Sequence, residues 1–247
     1  MKNIKLYELE ETYRNEESSL EYPTVSYTKD TSKVWYMEKQ EQMILNLMDI
    51  VYWDGTKIAS IEGSSWDASL GEPIGICVIP SNTFDNGKAR IISLYMADGN
   101  GNPTLDASLG LGGGQIYAIG STNVEDFSNI SSYTNGLINT LGHKENTDKN
   151  VTPRITVKVE HVLNFNLGHS NLQWYVPANN ECTAITPNYT VLQATYQACM
   201  GIDIPYTNYF VTSTIDASTH GYSYQIGGNV VNRRLPYVGL LVPFAQI

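Results

Sequence analysis

Few residues of this chain stand at spacings that would support catalysis or metal binding. The nearest grouping of metal-ligand types is Glu160-His161 with His169, while His143 and His220 lie farther away. Zinc sites use Cys and His at short characteristic spacings, and none of those spacings occurs here. The Gly-x-Ser-x-Gly element of serine hydrolases is also missing. We therefore expect no catalytic residue, no metal and no cofactor.

The segment Asp98-Gly-Asn100-Gly-Asn102 starts like an oxygen-rich calcium-binding loop. An EF-hand loop requires Gly at its sixth position and Glu at its twelfth, where this chain has Pro103 and Leu109. We interpret the segment as a polar turn, with calcium binding as the alternative. The glycine-rich residues 110–114 are not followed by the Lys-Ser/Thr of a phosphate-binding loop. They therefore predict a loop.

The three cysteines are Cys77, Cys182 and Cys199. An odd number without close spacing predicts neither a disulfide framework nor a zinc site. Cys77 lies in the apolar run Ile-Gly-Ile-Cys-Val-Ile, which is typical of a buried strand, where a free Cys behaves as a small apolar side chain. We expect all three thiols to be reduced.

The composition restricts the partners of this protein. With 15 basic and 25 acidic residues, the formal net charge is −10, which argues against nucleic acid because phosphate binding requires clustered Lys and Arg. Only 16% of the 247 residues are charged, and 17 are Tyr. Such a surface suits contact with sugars or proteins, or burial in an assembly. We expect a homo-oligomer.

The start of the chain does not have the pattern of a signal peptide. Residues 1–22 are acidic and lack an apolar core. No run approaches the roughly 18 apolar residues of a transmembrane helix. We therefore expect synthesis in the cytoplasm without membrane insertion.

The N-terminal residues predict a helix followed by a β-hairpin. In residues 5–20, apolar residues that include Leu6 and Tyr13 recur at helical spacing, with glutamates mostly on the other side. Residues 24–28 and 33–37 alternate between apolar and polar, and the Lys-Asp-Thr-Ser between them is typical of a turn.

A charged link, residues 38–42, separates this module from the rest of the chain. We predict an attachment module of residues 1–41 and a main domain of residues 42–247. A lone hairpin is marginally stable in water, so we expect the module to bury Leu6, Tyr13, Tyr27 and Trp35 against a neighbouring subunit. The alternative for the helix is packing on its own domain.

The main domain predicts an α+β fold. Residues 43–52 and 57–61 flank an Asp-Gly hairpin turn, and residues 73–80 form the most apolar strand. Further strands are expected at 89–96, 206–214 and 239–247, with residues 74–79, 209–213 and 240–244 central and largely buried. A helix is expected at 189–200, a polar hairpin at 222–234 and a surface loop at 144–149. An apolar C-terminal strand is best explained if it is buried.

Three segments of this domain resemble the C-type-lectin-like domain shared with formylglycine-generating-enzyme homologues. They are Trp-Tyr-Val-Pro-Ala at 174–178, Tyr-Phe-Val-Thr-Ser-Thr at 209–214 and Leu-Val-Pro-Phe-Ala at 241–245. The commoner form has Arg in place of Val242 and Ser-Glu-Leu in place of Asn180-Glu181-Cys182. The resemblance implies a mixed or antiparallel sheet with a packed helix. The enzymes of the family use two cysteines close in sequence, which this chain lacks, so their activity does not carry over.

The N-terminal module, with Leu-Tyr-Glu, Tyr-Pro-Thr-Val-Ser-Tyr and Val-Trp-Tyr, resembles a short module of virion proteins from crAss-like tailed phages of gut Bacteroides. This resemblance implies a phage structural protein, such as a head or tail fibre or decoration protein, located in the virion. Its partners would be capsid, collar or tail subunits.

Aromatic and amide side chains near the C-terminus form a candidate sugar-binding surface. Aromatic rings stack on apolar sugar faces, while Asn and Arg supply hydrogen bonds. We interpret Trp174 and Tyr209 as core residues. The candidate carbohydrate-binding residues, expected to be exposed on the polar hairpin, are Tyr222, Tyr224, Asn232 and Arg233. The alternatives to a phage adhesin are a bacterial surface carbohydrate-binding module and a degenerate enzyme.

Overall fold

A computed structural model describes residues 3–7, 24–28, 33–37, 44–53, 58–61, 69, 71–84, 87–107, 131–148, 159–167, 172–205, 209–217, 220–225, 230–234 and 239–247. The chain divides into two compact units, Met1–Met43 and Ile44–Ile247. The sequence placed the boundary between residues 41 and 42.

The first unit contains a three-stranded sheet of β1 (Asn3–Tyr7), β2 (Thr24–Thr28) and β3 (Lys33–Met37), in that order. The predicted hairpin is confirmed, because β2 and β3 pair antiparallel. The predicted helix is wrong from residue 5 to residue 7, since β1 pairs parallel with β2. Ile4 and Leu6 also alternate with polar residues, so this short stretch fits a strand, and pairing with β2 decides between the two periods. Residues 8–20 of that prediction lie outside the described residues.

The second unit is built on a six-stranded antiparallel sheet in the order β10-β14-β7-β6-β4-β5. Its strands are β4 (Ile50–Trp53), β5 (Ile58–Ile61), β6 (Glu72–Ile79), β7 (Arg90–Ser93), β10 (Trp174–Tyr175) and β14 (Phe244–Gln246). The predicted hairpin of β4 and β5 is confirmed, as is the buried strand β6 near the centre of the sheet.

The C-terminal strand is paired on both sides. In β14, Phe244 pairs with Tyr175 and with Ile92, and its side chain is buried. The Phe244 and Tyr175 rings lie 6.5 Å apart. The expectation of a buried, central C-terminal strand is confirmed for Phe244, whereas residues 240–243 are buried but precede the strand.

A second sheet contains β11 (Tyr209–Ala217), β12 (His220–Gln225) and β13 (Val230–Arg234). The prediction of a central strand for residues 209–213 is wrong, because β11 lies at one edge of this smaller sheet. Residues 211–215 are nevertheless buried, because helices pack on the strand. A short pair, β8 (Met96–Ala97) and β9 (Pro103–Thr104), completes the described strands.

Four α-helices are described: α1 (Gly136–Asp148), α2 (Glu160–Leu163), α3 (Asn179–Thr183) and α4 (Tyr189–Met200), with a 3₁₀ turn at Thr186–Asn188. The predicted helix α4 is confirmed; it buries Leu192 and Tyr196 and contacts β6. The predicted surface loop at 144–149 is wrong up to residue 148, because α1 extends to Asp148. These findings establish an α+β fold. None of the helices described is long and apolar enough to cross a membrane.

Candidate functional site

The most constrained side chain of the described structure is the carboxylate of Glu181, which is inaccessible to solvent. Its Oε1 accepts hydrogen bonds from Arg90 Nε at 2.8 Å and Tyr175 Oη at 3.0 Å. Its Oε2 accepts from the backbone N–H groups of Ala178 at 2.8 Å and Gly136 at 3.1 Å. One carboxylate therefore joins strands β7 and β10 to the N-termini of helices α1 and α3.

Local structure explains two of these bonds. Glu181 is the third residue of α3, counted from the N-cap Ala178, and a Glu at this position bonds back to the N-cap N–H. Gly136 opens α1, where the unpaired N–H groups and the helix dipole favour a negative charge. Both helices thus direct N-terminal backbone donors to the same carboxylate.

Arg90 is held from several sides. Only 1% of its side chain is exposed. Its Nη1 donates to the carbonyl oxygen of Lys88, and its guanidinium carbon lies 5.6 Å from the centre of the Phe84 ring. Because a buried charge is tolerated when it is paired and hydrogen-bonded, these contacts explain a charged residue within a fully buried strand.

The electrostatics of this cluster keep Tyr175 protonated. Burial first, and then the charge of Glu181, raise the pKa of Tyr175 well above its usual value. Burial also raises the pKa of Glu181, while hydrogen bonds from Ala178 and Arg90 act in the opposite direction. Tyr175 therefore serves as a hydrogen-bond donor rather than as a base.

The Glu181 cluster is a structural centre rather than a reactive one. A carboxylate offers about four acceptor positions, and Glu181 uses four bonds to protein donors. No acceptor position remains for a substrate. The sequence reasoning missed Glu181 and Arg90. Two signals could have identified them: a Glu three residues after a helix start, and a lone Arg in the apolar stretch around β7.

A buried polar layer joins α1 to β11. Asn139 Nδ2 lies 3.3 Å from Ser213 Oγ, and His143 Nε2 lies 2.9 Å from the Ser213 carbonyl oxygen. Thr140 Oγ1 accepts a hydrogen bond from the Val176 N–H at 3.0 Å. Polar side chains on the inner side of α1 therefore connect the helix to both β11 and the segment after β10.

The hydroxyl groups of β11 are used in the same way. Ser213 donates both its N–H, at 2.7 Å, and its Oγ–H, at 3.1 Å, to the carbonyl of Pro177. Thr214 Oγ1 accepts from the Asn179 N–H at 3.0 Å. Since His143 contacts the Ser213 carbonyl and not its hydroxyl, this arrangement does not activate Ser213 as a nucleophile.

The four predicted sugar-binding residues do not form one surface. Tyr224 was expected to be exposed, and this is wrong: it is inaccessible to solvent and its Oη lies 2.9 Å from Thr186 Oγ1. In the register of β12 and β13, Tyr222 pairs with Asn232, whereas Arg233 pairs with Gly221. Because strand residues alternate between faces, Tyr222 and Asn232 share a face with Tyr224, and Arg233 belongs to the opposite face.

The predicted attachment residues are likewise divided. The register of the first sheet pairs Leu6 with Tyr27, and Trp35 with Ser26. Leu6 and Tyr27 therefore share one face of the sheet, and Trp35 belongs to the other. Tyr13 lies outside the described residues.

The loop after Asp98 is a polar turn. Asp98 Oδ1 accepts from the N–H groups of Asn100 at 2.7 Å and Asn102 at 2.8 Å. Burial alone would raise the pKa of Asp98, but the hydrogen bonds from Asn102, Asn100 and Gly101 outweigh it and lower the pKa. The carboxylate is thus occupied within its own loop. The neighbouring glycine-rich residues 110–114 lie outside the described residues.

All three cysteines are free; Cys77 and Cys182 are buried and Cys199 is partly buried. Burial, followed by the charge of Asp49, raises the pKa of Cys77 to about 12. Burial raises the pKa of Cys199 to about 11. These thiols are therefore poor nucleophiles at neutral pH.

Ligand-type residues are dispersed in the part of the chain that the structure describes. No three His, Cys, Asp or Glu residues of that part are grouped so that they could hold a metal ion. His161 lies in α2 and His143 in the buried layer, on different helices, while His169 lies outside the described residues. The described geometry thus offers no metal centre.

Comparison with family models, curated proteins and solved structures found no match to this chain. The resemblances given under Sequence analysis therefore rest on their quoted residues alone.

Proposed function

We propose that the protein is a structural subunit of a tailed-phage virion that attaches through residues 1–43 and carries a lectin-like domain in residues 44–247. Attachment to the particle and display of the lectin-like domain are separate tasks, and a chain of two compact units is suited to them. The buried carboxylate of Glu181 is bonded to four protein donors, so this residue is not available as a catalytic acid or base.

One observation carries the lectin-like assignment. The three segments that resemble the lectin-like family contact one another although they are far apart in sequence. Ser213 N–H donates to the Pro177 carbonyl at 2.7 Å, and the strand at Trp174 pairs with the strand at Ala245. Val211 N–H donates at 2.9 Å to the carbonyl of Leu240, the residue directly before the third segment. Segments that are far apart in sequence are expected to converge in this way if they belong to one domain with one core.

Mass spectrometry of purified particles from the source tests the virion location. We expect peptides of this chain at a fixed ratio to capsid or tail subunits, retained after a high-salt wash. Absence of the chain from particles, together with its presence on cell envelopes, would favour the bacterial surface module instead.

A glycan array tests the adhesin role. Tyr222 and Arg233 belong to opposite faces of the second sheet, so a single sugar-binding patch built on one face should depend on only one of them. We expect either Tyr222→Ala or Arg233→Ala to abolish binding of a host glycan while the other leaves it intact. Normal glycan binding by both variants combined with failed particle assembly would leave a purely structural role.

A further inference from the structure

Two of the three Asn-Gly pairs of this chain are fully described, and they lie in different surroundings. An asparagine before a glycine is especially prone to deamidation, because glycine has no Cβ to keep its backbone nitrogen from reaching the asparagine side chain. Asn100-Gly101 lies in the polar turn after β8, and Asn135-Gly136 begins helix α1. In the third pair, Asn86-Gly87, the asparagine lies outside the described residues.

Both groups that would react at Asn135 are held by hydrogen bonds. Its Oδ1 accepts from the Ile138 N–H at 3.1 Å and from Gln246 Nε2 at 3.3 Å. The nitrogen that would attack, that of Gly136, donates its hydrogen to the buried Glu181 carboxylate at 3.1 Å. Ring closure removes that hydrogen and would leave a buried carboxylate short of one donor, which is unfavourable. A Cβ on Gly136 would lie 2.5 Å from the nearest atom, so the backbone there has little room to shift.

Asn100 is held through its backbone alone. Its N–H donates to Asp98 Oδ1 at 2.7 Å, whereas its side chain is exposed and none of the hydrogen bonds described for this residue involves its carboxamide. The nitrogen that would attack, that of Gly101, donates to the Asp98 carbonyl oxygen at 3.1 Å. Opening this single bond between two neutral groups leaves no buried charge without a donor. The exposed side chain of Asn100 can then rotate towards the Gly101 nitrogen.

We propose that Asn100 is a modification site of the folded chain, deamidated without an enzyme, and that the Glu181 cluster keeps Asn135 unmodified. The Gly101 nitrogen gives its proton to water and forms a bond to the side-chain carbonyl carbon of Asn100, while the amide nitrogen leaves as ammonia. Water then opens the resulting imide ring. Opening at the side-chain carbon gives aspartate, and opening at the backbone carbon gives isoaspartate. Both products place a second carboxylate in the turn of Asp98, where like charges repel. The proposal does not depend on the virion location.

The test is peptide mapping by mass spectrometry of the full chain after incubation at mildly alkaline pH. In the folded chain we expect aspartate and isoaspartate to form at Asn100 at least about tenfold faster than at Asn135, since closure at Asn135 must break hydrogen bonds in a buried cluster. In urea the two sites should react at similar rates, because those hydrogen bonds are lost. Asn102 is a matched control within the same turn: it is exposed, but the Pro103 nitrogen after it carries no hydrogen, so Asn102 should stay unmodified. The variant Asn100→Gln should stop the reaction in this turn, because its longer side chain does not form the same ring.

Three results would overturn the proposal. One is modification of Asn135 in the folded chain as fast as that of Asn100, which would show that the Glu181 cluster does not protect it. Another is an Asn100 that reacts in urea but not in the folded chain, which would show that the hydrogen bond from Gly101 to Asp98 blocks the reaction. The last is equal modification of Asn102, which would exclude attack by the following backbone nitrogen. Circular dichroism before and after incubation establishes that the chain stays folded during the measurement.

Discussion

At the scale of single residues, the Glu181 cluster dominates the described chemistry. It combines features that are separately common: a helix-start glutamate, a helix N-terminus and a buried ion pair. Because Arg90 and Glu181 are both inaccessible, removing one partner leaves an uncompensated buried charge.

Arg90→Met should lower the free energy of unfolding by about 3–5 kcal/mol, since it leaves the Glu181 carboxylate buried without its cation. Adding Glu181→Gln to it should cost less than the sum of the two single changes, because the second change removes the unpaired charge. Urea denaturation of the four proteins measures the coupling. Strict additivity would show that the two side chains do not act as a pair.

Gly136→Ala should be strongly destabilising. A Cβ at this position would lie 2.5 Å from the Val176 carbonyl oxygen, 2.6 Å from Ala178 N and 2.6 Å from Glu181 Oε2. We expect a loss of at least about 3 kcal/mol, at the upper end for overpacking. Gly201→Ala is the matched control: Gly201 has a φ of 68° with open space around it, so only backbone strain of about 1–2 kcal/mol applies. Equal melting temperatures for the two variants would contradict the crowding argument.

Cys199 should react slowly with iodoacetamide at neutral pH. Burial raises its pKa to about 11, so the thiolate is a minor species below that pH, and the reaction rate should rise about tenfold per pH unit up to about pH 11. Cys77 and Cys182 should stay unmodified while the protein is folded, because they are buried. Mass spectrometry after labelling at several pH values identifies the modified residue. A rate that levels off near pH 8.5 would show that Cys199 is not desolvated.

At the scale of elements, the C-terminal strand closes the main sheet. β14 lies between β10 and β7 and is the only strand that joins them in the order of that sheet. Its loss would leave backbone groups of both neighbours unpaired in a buried place. Because β14 is short, its contribution to the stability of the sheet comes from its position between two strands and not from its length.

Truncation after Pro243 should therefore prevent cooperative folding of the second unit. Phe244→Leu, which keeps the strand and most of the apolar volume, should cost less than about 1.5 kcal/mol. Thermal melting monitored by near-ultraviolet circular dichroism separates the two outcomes. A truncated protein with a wild-type melting curve would show that β14 is dispensable.

At the scale of the whole molecule, the second compact unit should fold without the first. All six strands of the main sheet and its buried core lie within residues 44–247. A fragment of residues 44–247 should therefore melt cooperatively at about the temperature of the second unit in the full chain. Calorimetry of fragment and full chain makes the comparison; an unfolded fragment would show that residues 1–43 complete its core.

The sequence by itself determined those local elements whose residue pattern fits only one type of secondary structure. Alternation of apolar and polar residues predicted the hairpin of β2 and β3, and the Asp-Gly turn predicted the hairpin of β4 and β5. Apolar runs predicted β6, α4 and the buried residues before and within β14. The helix expected from residue 5 failed because Leu6 fits the helical spacing with Leu9 and Tyr13 and also fits the strand alternation with Ile4. Pairing with β2 is a contact between distant residues, and local pattern does not contain it.

Only the tertiary structure decided which residues meet. Nothing in the sequence around Arg90 indicates its partner Glu181, 91 residues away. Nothing in the hairpin sequence indicates that Tyr224 is buried. Register sets these outcomes, because a shift of one residue exchanges the two faces of a strand. Burial then sets the chemistry, since a carboxylate surrounded by four donors has a structural role that composition and spacing do not reveal.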